Sequence, residues 1–89
     1  MINGDVNKFV DGLHYGDEME FMYKEQKFFI EGLYIDGKYS LLMWRMEPLG
    51  DGIWQRSGED AYPVEEFLNA PLWDGRTFWE AEGEMEWVG

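Results

Sequence analysis

Apolar and polar positions follow two periods along this chain, and the switch between them sets the expected fold. Val6, Phe9, Val10 and Leu13 fall at i, i+3, i+4 and i+7, the spacing of one helix face, so a short opening helix is expected. Asn3 or Asp5 is placed to cap it, and Gly16 to end it. From Asp17 the pattern alternates: Met19, Phe21 and Tyr23 share one side, and Glu18, Glu20 and Met22 the other. The polar group Lys24 to Lys27 reads as a hairpin turn, followed by a second strand over Phe28 to Tyr34. Asp36-Gly37 supplies the signal of a tight two-residue hairpin. The third run, Tyr39 to Met46, is apolar on both sides, with Leu41 and Met43 on one and Leu42, Trp44 and Met46 on the other. Such a strand belongs in the middle of a sheet with both faces covered, which makes Trp44 a core residue. The pattern breaks from Pro48 to Gly52, and Ile53 to Ser57 forms a fourth short strand. Asp11-Gly12, Asp36-Gly37, Asp51-Gly52 and Asp74-Gly75 all read as turn signals.

After Ser57 the period shifts towards helix. Pro63 suits a first helical position, Glu65 and Glu66 suit the first turn, and Val64, Phe67 and Leu68 make an apolar edge that Pro71 stops. The segment from Thr77 to Val88 carries both periods. Thr77 to Glu80 fits a capping box, and Phe78, Ala81, Met85 and Val88 form a helical stripe. Glu80, Glu82, Glu84 and Glu86 also alternate strictly with Ala81, Gly83, Met85 and Trp87, which is strand period. The agreement of cap and stripe favours helix. The expected fold is therefore α+β: an N-terminal helix, a four-stranded antiparallel meander and two C-terminal helical segments packed on the sheet. It forms one domain over residues 1–89.

Composition changes the picture mainly through charge. Nineteen Asp and Glu stand against seven Lys and Arg, a net −12 in 89 residues. Self-repulsion of that size opposes compaction. Yet 45% of the chain is hydrophobic and 18% aromatic, so a solvated disordered tail is excluded. Without cysteine there are no disulfides and no thiolate metal sites. No basic segment followed by an apolar run opens the chain, and no stretch approaches the ~20 apolar residues that span a bilayer. A cytoplasmic location is expected. Lipid headgroups and nucleic-acid phosphates of like charge would repel the surface, so neither a membrane nor direct DNA or RNA binding is expected.

Candidate chemistry is sparse. His14 is the single histidine, and Ser40, Ser57 and Thr77 have no base beside them in sequence; Thr77 is better read as a cap. The acid pairs Asp17-Glu18 and Glu59-Asp60 point to opposite sides of an extended chain. Asp51 to Tyr62 lacks the ligand pattern of a calcium loop. No enzyme, metal or cofactor is expected. The candidate is a binding surface instead. Nine carboxylates and one base, Arg76, lie between Glu59 and Glu86. The expected partner-binding residues are Glu65, Glu66, Trp79, Glu80, Glu82, Glu84, Glu86 and Trp87, set apart from Lys24, Lys27 and Lys38 of the meander. On a helix Trp79 and Trp87 would share a second stripe with Gly83, serving either as core or as anchors for an Arg- or Lys-rich partner. The glutamates would form like-charge i, i+4 pairs there, so replacing them is expected to leave the fold as stable or firmer.

The stretch Phe67-Leu68-Asn69-Ala70-Pro71-Leu72-Trp73-Asp74-Gly75, then Thr77-Phe78-Trp79-Glu80 and Glu86-Trp87-Val88, resembles short acidic proteins of bacteria and their mobile elements. The Phe9-Val10-Asp11-Gly12-Leu13 block with Tyr15-Gly16-Asp17 is similar to them too. The resemblance transfers no catalytic or binding residue. It implies a mobile-element setting, in which small acidic proteins often inhibit host defence nucleases. The function expected is a non-catalytic protein whose acidic surface binds a basic partner. One form of it is a nucleic-acid mimic that blocks a restriction or CRISPR effector. An immunity protein against a basic toxin nuclease and a self-associating structural protein, its apolar surplus forming a homodimer, are the alternatives.

Overall fold

The computed structural model describes residues 1–48, 50 and 52–89. It is α+β, as the two periods predict. Helix α1, Val6–Tyr15, starts at Asp5, whose side chain accepts the backbone N–H of Asn7, and ends at Gly16 in the left-handed region. Four strands follow: β1 Met19–Tyr23, β2 Gln26–Ile35, β3 Lys38–Glu47 and β4 Gly52–Gly58. They pair antiparallel in sequence order. The β1–β2 turn is shorter than expected, because Gln26 already pairs with Tyr23. At the β2–β3 turn Asp36 and Gly37 both take positive φ, 52° and 78°, as a two-residue loop of this hand requires. The turn expected at Asp51-Gly52 rests on Asp51, which lies outside the described residues.

Helix α2, Val64–Asn69, begins after Pro63 and buries Val64, Phe67 and Leu68. Helix α3 corrects the expectation for the C-terminal segment. It covers only Phe78–Ala81, passes through a 3-10 turn at Glu82–Glu84, and gives way to a fifth strand, β5, Met85–Trp87. Cap and strand period were thus both genuine signals, in succession. Gly83 lies at the changeover, where helix propensity is lowest. Strand β5 pairs with β1, giving the sheet order β4-β3-β2-β1-β5. Residue Ile2 bridges its outer side, donating to the Met85 carbonyl and accepting from Trp87 N–H.

All three helices lie over one face of the sheet. Between the layers sit Phe9, Phe21, Ile30, Met43, Phe67 and Phe78, all fully buried. Phe9 stacks on Phe78 with ring centroids 5.5 Å apart and meets Phe21 edge-on at 5.5 Å. The large core indole is Trp73, 1% exposed, against Phe21, Phe28 and Phe67. The core role expected of Trp44 goes to Trp73 and Trp54 instead. Trp44 is half-buried on the opposite face of the sheet, beside Phe29 at 6.1 Å. Strand β3 lies inside the sheet, but helices cover only one of its sides. Among the described residues no helix is long and apolar enough to cross a membrane.

Candidate functional site

The C-terminal glutamates do not form one row. Glu80 completes the capping box of α3: its carboxylate accepts the Thr77 N–H at 2.8 Å while the Thr77 hydroxyl accepts Glu80 N–H at 3.4 Å. Those bonds from Thr77 hold its carboxyl below the ordinary value. Glu82 takes the Met1 ammonium at 2.6 Å. Glu84 takes Arg76 at 2.7 Å. Glu86, on β5, accepts a hydrogen bond from the Asn3 amide and lies opposite Met22 of β1. Each of the four therefore has an intramolecular partner. The like-charge pairing expected on a helix does not arise, and β5 puts Glu86 in the sheet rather than apart from the meander. Trp87 is likewise on a strand, edge-on to Phe9 at 5.3 Å, so it shares no helical stripe with Trp79. Trp79 is 48% exposed and lies against Phe78.

Arg76 and Glu84 belong to a polar network around Tyr23 that sequence gave no reason to assemble. Arg76 donates to the Tyr23 hydroxyl at 2.6 Å, and that hydroxyl donates to Asp74 at 3.1 Å. Lys24 closes the chain of contacts on Asp74 at 2.6 Å. The Lys24 ammonium, followed by the Tyr23 hydroxyl, keeps Asp74 below the ordinary carboxylate value, and Asp74 in turn raises Lys24. Glu84 and Tyr23 raise Arg76. The network pins the Trp73–Arg76 loop to the end of β1. Asp74 takes positive φ, 56°, in that loop, as its Asp-Gly signal suggested.

Of the carboxylates left over, Glu25, Glu31, Asp36 and Glu47 lie on the meander with Lys24, Lys27 and Lys38, and the others are elsewhere. Asp11, Asp17, Glu18, Glu59, Asp60, Glu65 and Glu66 are all exposed, and none enters an ion pair among the described residues. They lie on α1, on α2 and on the segments beside them, and packing brings these together. A Cβ on Gly16 would come within 2.6 Å of the Tyr62 ring, and one on Gly32 within 2.5 Å of the Gly16 Cα. Gly32 N–H also donates to the Gly16 carbonyl. The end of α1 and the approach to α2 are thus clamped at one place by residues too small to hold them apart. Lys8 is the one Lys or Arg within residues 5–18 and 59–69. Of the residues expected from sequence, Glu65 and Glu66 belong to this group. Those on and just after α1 were missed because Asp11, Asp17 and Glu18 are far from Glu65 in sequence, and only the fold brings α1 against α2.

Among the described residues no three His, Asp or Glu side chains gather as metal ligands. A cleft of about 570 Å³ opens between β3 and β4, lined by Trp44, Ile53, Trp54, Arg56 and Leu72 among others. Among the described residues its lining has no carboxylate and no histidine. The Arg56 guanidinium lies 5.5 Å from the Trp54 ring and donates to the Gln55 carbonyl, so it is engaged locally. Comparison with protein-family models, curated proteins and solved structures found no match to this chain.

Proposed function

We propose that this chain is a non-catalytic binding protein whose carboxylate-bearing helical side engages a basic protein. The observation that carries this is the division of labour among the acids. The glutamates of the C-terminal segment are tied into the fold, whereas seven exposed carboxylates along α1 and α2 have no ion-pair partner among the described residues. Unscreened acids of one sign on a rigid layer attract a cationic surface from a distance and speed its association. In its sharper form the partner is a nucleic-acid-binding protein, whose groove already suits an array of negative charges. The resemblance to small acidic proteins of mobile elements supports that form, with a restriction or CRISPR effector as the target.

Capture from a lysate at low and high salt, with identification of what is retained, tests the reading. A basic protein held at low salt should be released as screening shortens to below ~8 Å, and duplex DNA should compete for it. Replacing Glu65 and Glu66 with Gln and Asp11 with Asn should weaken capture, whereas Asp36→Asn in the β2–β3 turn should not. Retention of no basic protein at low salt would overturn the proposal.

A further inference from the structure

The side of the sheet away from the helices is the most apolar surface that the fold leaves open. An antiparallel sheet facing water on one side ordinarily alternates apolar inward with polar outward. Here the outward positions include Met22 of β1, Phe29 and Leu33 of β2, and Leu42 and Trp44 of β3. Met22, Phe29, Leu42 and Trp44 are only half-buried, although no element among the described residues covers them, and Leu33 is 39% exposed. The cross-strand pairs Phe29 with Trp44 and Glu31 with Leu42 make them contiguous. The two-sided apolar character of β3, read from sequence as burial on both faces, is thus satisfied on one face alone. Contiguous apolar area of this kind on a soluble domain marks a contact surface.

We infer that this face pairs with the same face of a second copy, to give a helix–sheet–sheet–helix dimer. Charge selects that occupant over a basic partner. The chain carries −12, but this face mixes Lys27 and Lys38 with Glu20, Glu31 and Glu86, with Glu47 at its end beside Lys27. Glu20 and Lys27 already form an ion pair at 3.3 Å. Two lysines against four glutamates leave the face about two charges negative, a small share of the −12, so it attracts a cationic protein far less than the side bearing α1 and α2 does. Two copies stacked here would keep the unpaired carboxylates of α1 and α2 on the two outer layers, far from one another. The size is adequate. Five strands about 4.8 Å apart, the longest of ten residues, span on the order of 600 Å² in plan. A stable interface takes roughly 800 Å² of accessible surface per partner, and corrugated accessible area exceeds plan area. Sheets packed face to face in this way cross at about −30°.

Sedimentation velocity across a concentration series, in moderate salt so that net repulsion is screened, reads the outcome directly. The wild-type chain should pass from monomer to dimer as concentration rises. Leu42→Glu and Trp44→Gln, each shown by circular dichroism to retain the fold, should weaken the dimer at least tenfold. Asn7→Lys, at an exposed position of α1 in the opposite layer, should leave it unchanged. A wild-type chain that stays monomeric at every concentration overturns the inference without recourse to any variant. So does a dimer that survives both face substitutions, or one that Asn7→Lys abolishes, which would place the contact on the helical side.

Discussion

Glu80 shows how much a single acid depends on where the backbone puts it. At the third position of α3 its carboxylate answers the Thr77 N–H, a donor that the first turn would otherwise leave unsatisfied. Glutamine can accept the same hydrogen bond and alanine cannot, so Glu80→Ala should melt lower than Glu80→Gln. Exchanging all four of Glu80, Glu82, Glu84 and Glu86 for Gln should lower the melting temperature, since Glu82 and Glu84 lose their ion pairs with the Met1 ammonium and Arg76. The outcome expected from helical spacing, an unchanged or firmer fold, is reversed because the helix stops at Ala81. Acid supplies a second reading. The carboxyls of Asp74 and Glu80 lie below their ordinary values of 3.8 and 4.5. A group more acidic in the folded chain than in the unfolded one stabilises the fold above its unfolded value, and that contribution fades as pH falls through the folded one. From roughly pH 5 to pH 3, wild type should therefore lose more stability than Glu80→Gln. Thermal melts over that range check the sign, and equal losses would show that the carboxylate is not protonated differently on unfolding.

Among the elements, the ones that announced themselves had a local cause. The opening helix had a side-chain cap in Asp5 and a left-handed stop in Gly16, β1 had alternation, and β1 to β3 had short turns between them. Strand β5 could not be read the same way. At three residues, its pattern is too short to outweigh a capping box and a helical stripe that begin in the same segment. What stabilises it is tertiary, namely the ladder to β1 and the bridge from Ile2. The clamp at Gly16, Gly32 and Tyr62 was equally invisible, because it depends on backbones meeting across elements. It can be tested through its smallest member. Gly32→Ala would place a Cβ 2.5 Å from the Gly16 Cα, and such overpacking costs about 1–3 kcal/mol. By contrast, a Cβ at Gly83 meets nothing within 4 Å, and its φ is not positive, so Gly83→Ala should be neutral or stabilising by up to about 1 kcal/mol. Chemical denaturation of the two variants should separate them clearly, and equal stabilities would mean that the clamp yields without cost.

For the molecule as a whole, the α+β class and the acid excess were legible in the sequence, but the distribution of the acids was not. Spacing along a chain cannot show that Glu84 will meet Arg76, or that Asp11 will share a layer with Glu65. With four ion pairs among the described residues and −12 on the chain, repulsion should outweigh attraction between surface charges. Added salt should therefore raise the melting temperature, and each ~1 kcal/mol of repulsion screened corresponds to roughly 4–8 °C in a domain of this size. Calorimetry from low to moderate sodium chloride measures this, and a falling midpoint would mean that the ion pairs dominate.

Residue Ile2, lying along β5, has a consequence for how far any association by strand addition can run. A sheet with two open edges can add neighbours at both and grow without end. The bridge from Ile2 takes up the Met85 carbonyl and the Trp87 N–H, the outward groups of a three-residue strand, and leaves β4 as the one full-length free edge among the described residues. Growth that can begin at only one edge stops once two such edges meet. Edge pairing by itself therefore joins two copies and no more.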